Sequence, residues 1–239
     1  MAHQFSTDDQ DNEECAKLKG SAANALSQLY QEKNLVDELI NLQKNCLDYL
    51  KDVPKSKQAK IVRTMFDATM KLEENSNRLN TSMVGLCNYI IDWCEKENRS
   101  FLRMRIQNKL AIIYFKLEKY NDALELLKNL LYELKRKEDK QLLVEAQLVE
   151  SKVHHALENI PKAKASLTSV KTTANSIYIV PLLQAEIDLM SGMIACDEYD
   201  YATAFSYFYE TFEGYRSLNE WGFALKAFKY MLFSKVMNK

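Results

Sequence analysis

Glycine and proline are scarce in this sequence, with five and three copies in 239 residues. Both fall well below their usual shares of a globular chain, about 7% and 5%. Because these two residues form many turns and interrupt helices, their scarcity predicts few turns and long helices. Pro161 and Pro181 stand where we expect helices to begin, since a proline at the first helical position gives up no hydrogen bond.

Long apolar runs and catalytic motifs are missing as well. No stretch of 18 consecutive apolar residues occurs, which excludes a membrane-spanning helix. The five cysteines are scattered without CxxC spacing, and neither HExxH, a glycine-rich phosphate loop nor GxSxG is present. We therefore expect a protein that is not an enzyme and has no cofactor, no metal site and no membrane partner.

An excess of positive charge is also absent, because the net charge is −1. Such a chain has no overall field to attract nucleic acid, so we expect no nucleic-acid partner. Residues 1–14 are acidic and polar and lack the basic and apolar parts of a secretory signal. They predict a disordered tail on a protein of the cytoplasm and nucleus.

The rest of the chain carries apolar residues at spacings of three and four, which are typical of amphipathic helices. Small residues suited to close helix crossings recur about 40 residues apart, at Ala123, Ala163 and Ala204. This recurrence is longer than the 34-residue tetratricopeptide repeat but has the same pattern of large and small residues. Residues 15–239 therefore predict an all-α fold, a right-handed α-solenoid of about five tetratricopeptide-like hairpins plus a final helix.

Aromatic residues form a second pattern near the carboxyl end. Five of them step by four and three along one predicted helix, and we interpret this stripe as packing against the flanking helices: Tyr201, Phe205, Phe208, Phe212 and Tyr215. Tyr207 and Tyr209 lie off the stripe. Because tyrosine joins an apolar ring to a hydroxyl that favours a wet rim, both are candidate protein-interaction residues.

The final predicted helix, from about Trp221 to Val236, has an apolar stripe that no later helix of the chain would cover. We assign to this stripe Phe223, Ala227, Phe228, Met231, Leu232 and Val236. Phe228 and Leu232 are its candidate interaction residues. Since a solenoid needs a polar cap where its stacking ends, we expect the isolated chain to self-associate through this uncapped helix unless a partner covers it.

Two non-catalytic classes fit an all-helical repeat chain. A peptide-receptor tetratricopeptide protein holds a carboxylate with Lys and Asn at the fifth and ninth positions of a repeat, and no unit here has that pair. The positions counted back from the three small residues are held by Asn108 and Ile112, Leu148 and Lys152, and Leu189 and Met193. A scaffold that docks large neighbours over an extended surface is therefore favoured.

Three segments carry a family resemblance in their surface positions as well as their core positions. They are ESKVHHALENIPKAKASLTSVKTTANSIY at 150–178, SYFYETFEGY at 206–215 and KYML at 229–232. Together they closely resemble the amino-terminal helical array of the PCI-family non-ATPase subunits, of the subunit-eleven type, in the lid of the proteasome regulatory particle. A fainter similarity begins near residue 20, whereas residues 218–227 differ from the family.

The resemblance implies a non-catalytic scaffold in ubiquitin-dependent protein degradation, linking the regulatory particle to the core particle and the ATPase ring. The implied partners are lid, ATPase and core-particle subunits. Because the chain ends at Lys239, about where such a subunit would continue into its PCI winged-helix domain, we expect that domain to be absent. A signalosome-type PCI scaffold subunit and a generic tetratricopeptide adaptor remain the alternatives.

Overall fold

The computed structural model describes residues 18, 20–22, 25–30, 32–33, 36–49, 55–76 and 81–238. The predicted acidic tail at 1–14 lies outside these residues. Every regular element in the described part is a helix, as the all-α prediction required. Ten helices have defined bounds: α1 Val36–Tyr49, α2 Lys55–Ser76, α3 Thr81–Lys96, α4 Ser100–Lys116, α5 Tyr120–Lys137, α6 Lys140–Ala156, α7 Ile160–Ala174, α8 Pro181–Asp197, α9 Tyr201–Ser217 and α10 Trp221–Met237.

Six tight connections between these helices share one backbone conformation. Each contains a residue with a left-handed φ of 54° to 63°, and none of the six is glycine. After α6, for example, the amides of Glu158 and Asn159 bond back to the carbonyls of His155 and His154, both at 2.9 Å, which is a Schellman-type helix end. The left-handed residues at 98, 118, 138 and 158 are evenly spaced. From Ala123 to Ala163 the 40-residue recurrence is therefore two helices, each followed by a tight turn, whereas the next interval contains the longer connection 175–180.

Packing divides the chain into two compact units, residues 1–106 and 107–239. In the first unit, α1 packs against α2 and α3. Its fully buried side chains include residues from all three helices: Leu39, Leu47, Met65, Phe66, Met83, Leu86 and Ile90.

In the second unit, α6 with α7 and α8 with α9 form hairpins whose helices approach closely at small residues. Ala163 and Ala204 are fully buried, which confirms their predicted place at the helix crossings. The Ser151 hydroxyl of α6 donates a hydrogen bond of 2.9 Å to the carbonyl of Ala163. In the next hairpin, Gly192 of α8 lies directly against the ring of Phe208.

The aromatic stripe of α9 packs against α10 through three ring pairs in antiparallel register. The ring centroids lie 5.4 to 5.8 Å apart in the pairs Phe208–Tyr230, Phe212–Phe228 and Tyr215–Phe223. Phe208 and Tyr215 are buried, and burial raises the pKa of the Tyr215 hydroxyl. The stripe is therefore part of the core between α9 and its neighbours, as the sequence predicted.

Candidate interaction surfaces

Helix α10 has two apolar faces, and only one of them is covered. The covered face carries Ala224, Ala227 and Ser234, all buried, with Tyr230 and Met231 half-buried beside them. On the other side lies a stripe at spacings of four and three, 36% to 62% exposed, which we call the outer stripe: Trp221, Leu225, Phe228, Leu232 and Val236.

The prediction of which residues lie on the uncovered face of α10 was partly wrong. Ala227 is fully buried among Ala185, Tyr215 and Ala224, because its small side chain lets α10 approach α9. Met231 packs against the cluster around Phe208. Phe228 and Leu232 are exposed as expected, but the prediction missed Trp221 and Leu225. Their spacings of seven and three residues from Phe228 would have placed them on the same helix face.

The charged residues of α10 are all of one sign. Lys226, Lys229 and Lys235 are exposed, and no aspartate or glutamate occurs between residues 221 and 237. At 100° per residue, Lys229 and Lys235 lie on opposite sides of the outer stripe, and Lys235 Nζ lies 5.2 Å from the ring centroid of Phe205 on α9. The stripe is thus an exposed apolar surface flanked by positive charge.

Tyr207 and Tyr209 lie on opposite sides of α9, because two residues differ by about 200° around a helix. Tyr209 is half exposed and remains a surface candidate. The Tyr207 hydroxyl accepts a hydrogen bond of 3.1 Å from Lys171 Nζ, which also lies 4.3 Å from the ring centroid. The structure therefore does not bring the four candidate residues together: Phe228 and Leu232 share the outer stripe, and the tyrosines lie elsewhere.

Tyr207 borders a polar cavity of about 200 Å³ at α7, α8 and α9. Asp188 is buried there, and Gln184 Nε2 donates to its two carboxylate oxygens at 3.1 Å. Burial raises the pKa of the Asp188 carboxyl above its ordinary value, and nearby Glu210 acts in the same direction. Because Lys171 and Gln184 are already engaged by Tyr207 and Asp188, this cavity is a polar part of the packing.

Replacing Asp188 with asparagine is expected to raise the melting temperature at neutral pH. A raised folded-state pKa means that stability is lost as the pH rises and the carboxyl ionises. Asparagine keeps an acceptor for Gln184 and does not ionise. The gain in melting temperature should shrink towards zero as the pH falls below the ordinary aspartate pKa of about 3.8. Thermal melts followed by circular dichroism from acid to neutral pH measure it.

Asp200→Asn is the matched control for this effect. Hydrogen bonds from Thr203 lower the pKa of the Asp200 carboxyl, so its ionised form is favoured and its contribution to stability is lost as the pH falls. No gain at neutral pH is expected from this variant. Equal gains from Asp188→Asn and Asp200→Asn would contradict the assignment of buried charge to Asp188.

The described residues contain no group of three or more His, Cys, Asp and Glu side chains that could hold a metal ion. None of the described helices is long and apolar enough to cross a membrane.

Comparison with known proteins shows which family this chain resembles. Residues 2–117 match the model of the 26S proteasome regulatory subunit RPN6 N-terminal domain. The probable 26S proteasome regulatory subunit rpn6 of Schizosaccharomyces pombe is 43% identical over 226 residues, which cover 95% of this chain and 53% of that protein. Most of this chain is therefore similar to Rpn6-type regulatory subunits.

The Rpn6 similarity continues well beyond the part that matches the family model. The 26S proteasome non-ATPase regulatory subunit 11 of Dictyostelium discoideum is 44% identical over 220 residues, 92% of this chain and 52% of that protein. The chain thus spans about half the length of the curated Rpn6 relatives it matches. The resemblance drawn from residues 150–178 and 206–215 is confirmed.

The fold of this chain is shared with a protein of very different sequence. The crystal structure of BtubC from P. vanneervenii superposes with a TM-score of 0.65 at 13% identity, covering 91% of this chain and 92% of that one. At such low identity the likeness concerns the fold alone, and it supports the assignment to the helical solenoid class.

Proposed function

We propose that the chain is a non-catalytic scaffold of the proteasome regulatory particle lid, linking the regulatory particle to the core particle and the ATPase ring. The observation that carries the proposal is the 43% identity to a proteasome regulatory subunit over 95% of the chain. Its partners are accordingly lid, ATPase and core-particle subunits, in the cytoplasm and the nucleus. The exposed apolar surface of α10 supports a docking role.

The contacts of the residues at the fifth and ninth repeat positions favour a scaffold and argue against a receptor that binds peptide carboxyl termini. Of the side chains at the clamp positions, only Asn108 and Lys152 are of the clamp type, and both are engaged within the fold. Asn108 is buried and donates a hydrogen bond of 3.2 Å to Glu145. Lys152 Nζ lies 2.6 Å from a carboxylate oxygen of Glu186. Neither is therefore aimed at an incoming carboxylate.

The proposal is tested by purifying the tagged chain from cell extract and quantifying the recovered proteins by mass spectrometry. Lid, ATPase or core-particle subunits should be enriched over a tag-only control. The double variant Leu225→Lys, Leu232→Lys should reduce their recovery, because it removes two exposed apolar side chains of the outer stripe. Tyr132→Lys, at a residue of α5 that is 66% exposed, is the matched control and should leave recovery unchanged.

Other outcomes of this experiment would refute the proposal. Enrichment of signalosome subunits without proteasome subunits would favour the signalosome-type alternative. Enrichment of chaperones through their carboxyl-terminal tails would indicate a generic tetratricopeptide adaptor.

A further inference from the structure

The α6–α7 hairpin and the α8–α9 hairpin meet at an apolar cluster inside the second unit. Buried side chains of three helices form this cluster, among them Leu148 of α6, Leu167 of α7 and Met190 of α8. The hydrophobic effect is non-directional. The cluster therefore holds the two hairpins together but has little preference among small changes of the angle between them.

Polar contacts cross the same junction beside the cluster, and two of them join α6 to α8. Lys152 Nζ lies 2.6 Å from a carboxylate oxygen of Glu186. His155 Nε2 lies 2.8 Å from a carboxylate oxygen of Asp197, the last residue of α8. In both contacts the nitrogen belongs to the α6–α7 hairpin and the carboxylate to the α8–α9 hairpin.

Two further contacts start from α7 and have the same polarity. Lys164 Nζ lies 2.5 and 2.8 Å from the two carboxylate oxygens of Glu198. Lys171 Nζ donates to the Tyr207 hydroxyl of α9 at 3.1 Å. Because Lys164 lies in the first half of α7 and Lys171 in its last turn, the contacts hold the junction near both ends of this helix.

The connection between the two hairpins also differs from its neighbours. It comprises residues 175–180, none of which has a left-handed φ, whereas the connections at 157–159, 198–200 and 218–220 are tight turns with a left-handed residue. Ile177 and Ile179 are only partly buried against the apolar cluster. A longer connection of this kind can absorb changes in backbone dihedral angles, as hinge segments do.

We propose that this junction is a hinge closed by a polar latch, the four contacts of Lys152, His155, Lys164 and Lys171. The latch holds the two hairpins at one angle. When its contacts are weakened, the α8–α9 hairpin rotates about the apolar cluster through residues 175–180. One surface ion pair contributes little by itself, but contacts near both ends of α7 restrict rotation together. The second unit can then change the angle between its hairpins without losing its core, whatever partner it binds.

The test measures the distance between α7 and α9 in the full chain by pulsed electron paramagnetic resonance. Spin labels replace two exposed residues, Thr172 and Ala202. They are attached through an unnatural amino acid, because the half-buried Cys46 and Cys196 could react with thiol-directed labels. Raising the salt concentration from about 0.1 M to about 1 M shortens the Debye length from about 10 Å to about 3 Å, so the distance distribution should broaden.

Charge reversal locates the latch. Lys152→Glu with Lys164→Glu places like charges opposite Glu186 and Glu198. The fraction of molecules outside the native distance peak should then rise at least about tenfold, the ratio that corresponds to about 1.4 kcal/mol. Adding Glu186→Lys and Glu198→Lys pairs opposite charges again, in the reversed order, and should restore the narrow distribution.

Lys140→Glu with Lys162→Glu is the matched control, because it reverses two exposed lysines of the same two helices. It changes the net charge equally and should leave the distance distribution unchanged. Melting curves verify that each variant folds. If the double reversal does not fold, Lys164→Glu alone takes its place, since that side chain is 57% exposed.

Three results would overturn the proposal. They are a distance distribution that does not respond to salt, equal broadening in the reversal and control variants, and swapped charges that leave the distribution broad. The measurement uses the isolated chain and the purification from extract measures the complex, so failure of the hinge is distinguishable from failure of the proposed function.

Discussion

Replacing Phe208 with alanine should lower the free energy of unfolding of residues 107–239 by about 3–5 kcal/mol, the usual cost of removing a buried phenylalanine ring. The Phe208 ring is 1% exposed and stacks on Tyr230 at a centroid distance of 5.4 Å. It also fills the space above Gly192. Alanine would leave a cavity there and would therefore remove packing contacts of α9 with both α8 and α10. Urea unfolding followed by circular dichroism measures the loss.

Phe233→Ala is the matched control for this prediction. The same side chain is removed, but Phe233 is 53% exposed on α10, so the change should stay within about 0.5 kcal/mol. Hydrogen exchange should show faster opening of α8, α9 and α10 in Phe208→Ala alone. Similar losses in the two variants would mean that Phe208 does not join these helices in the way described.

Gly192→Ala should destabilise the same unit by about 2 kcal/mol, although alanine is the better helix former. A Cβ at this position would lie 2.6 Å from Cε1 and 2.8 Å from Cδ1 of Phe208. The ring is rigid and buried, so the crowding should cost close to 3 kcal/mol of the usual 1–3 kcal/mol range. The gain in helix propensity is only about 1 kcal/mol, so crowding exceeds it. Urea unfolding again measures the difference.

Gly85→Ala is the corresponding control in the middle of α3, because a Cβ there would meet no atom within 4 Å. It should stabilise its own unit by about 0.4–1 kcal/mol. Replacing the Phe208 ring with the smaller leucine side chain, in the double variant Gly192→Ala, Phe208→Leu, should relieve the crowding. It should therefore recover part of the stability that Gly192→Ala loses. A stabilising Gly192→Ala would show that the two helices can separate without cost.

Self-association through α10 stays a prediction, and the structure changes how it should be tested. The outer stripe exposes the apolar side chains that this prediction required. Yet Lys226, Lys229 and Lys235 oppose the close pairing of two α10 helices. Light scattering should therefore show stronger association at high salt, where the repulsion between lysines is screened.

The helices, their approximate length and the crossings at Ala163 and Ala204 could be read from the sequence. These features are local, since an apolar spacing of three and four and a small residue every 40 positions are visible without knowledge of any neighbour. The tight turns were harder to recognise. Glu138 and Glu158 adopt the left-handed conformation that glycine usually provides, so composition gave no signal for them.

Tertiary structure alone decided which apolar face of α10 is covered. Ala224 and Leu225 are adjacent and both apolar, but Ala224 is buried beside Tyr215 of α9 whereas Leu225 is exposed in the outer stripe. Likewise, Tyr207 lies off the aromatic stripe as predicted, but its contact with Lys171, 36 residues away, engages its hydroxyl. The sequence by itself determined the family resemblance, the helical class and the repeat, because these follow from residue identity and local spacing. The division of apolar and polar side chains between core and surface required the structure, because it depends on which distant helix lies opposite each face.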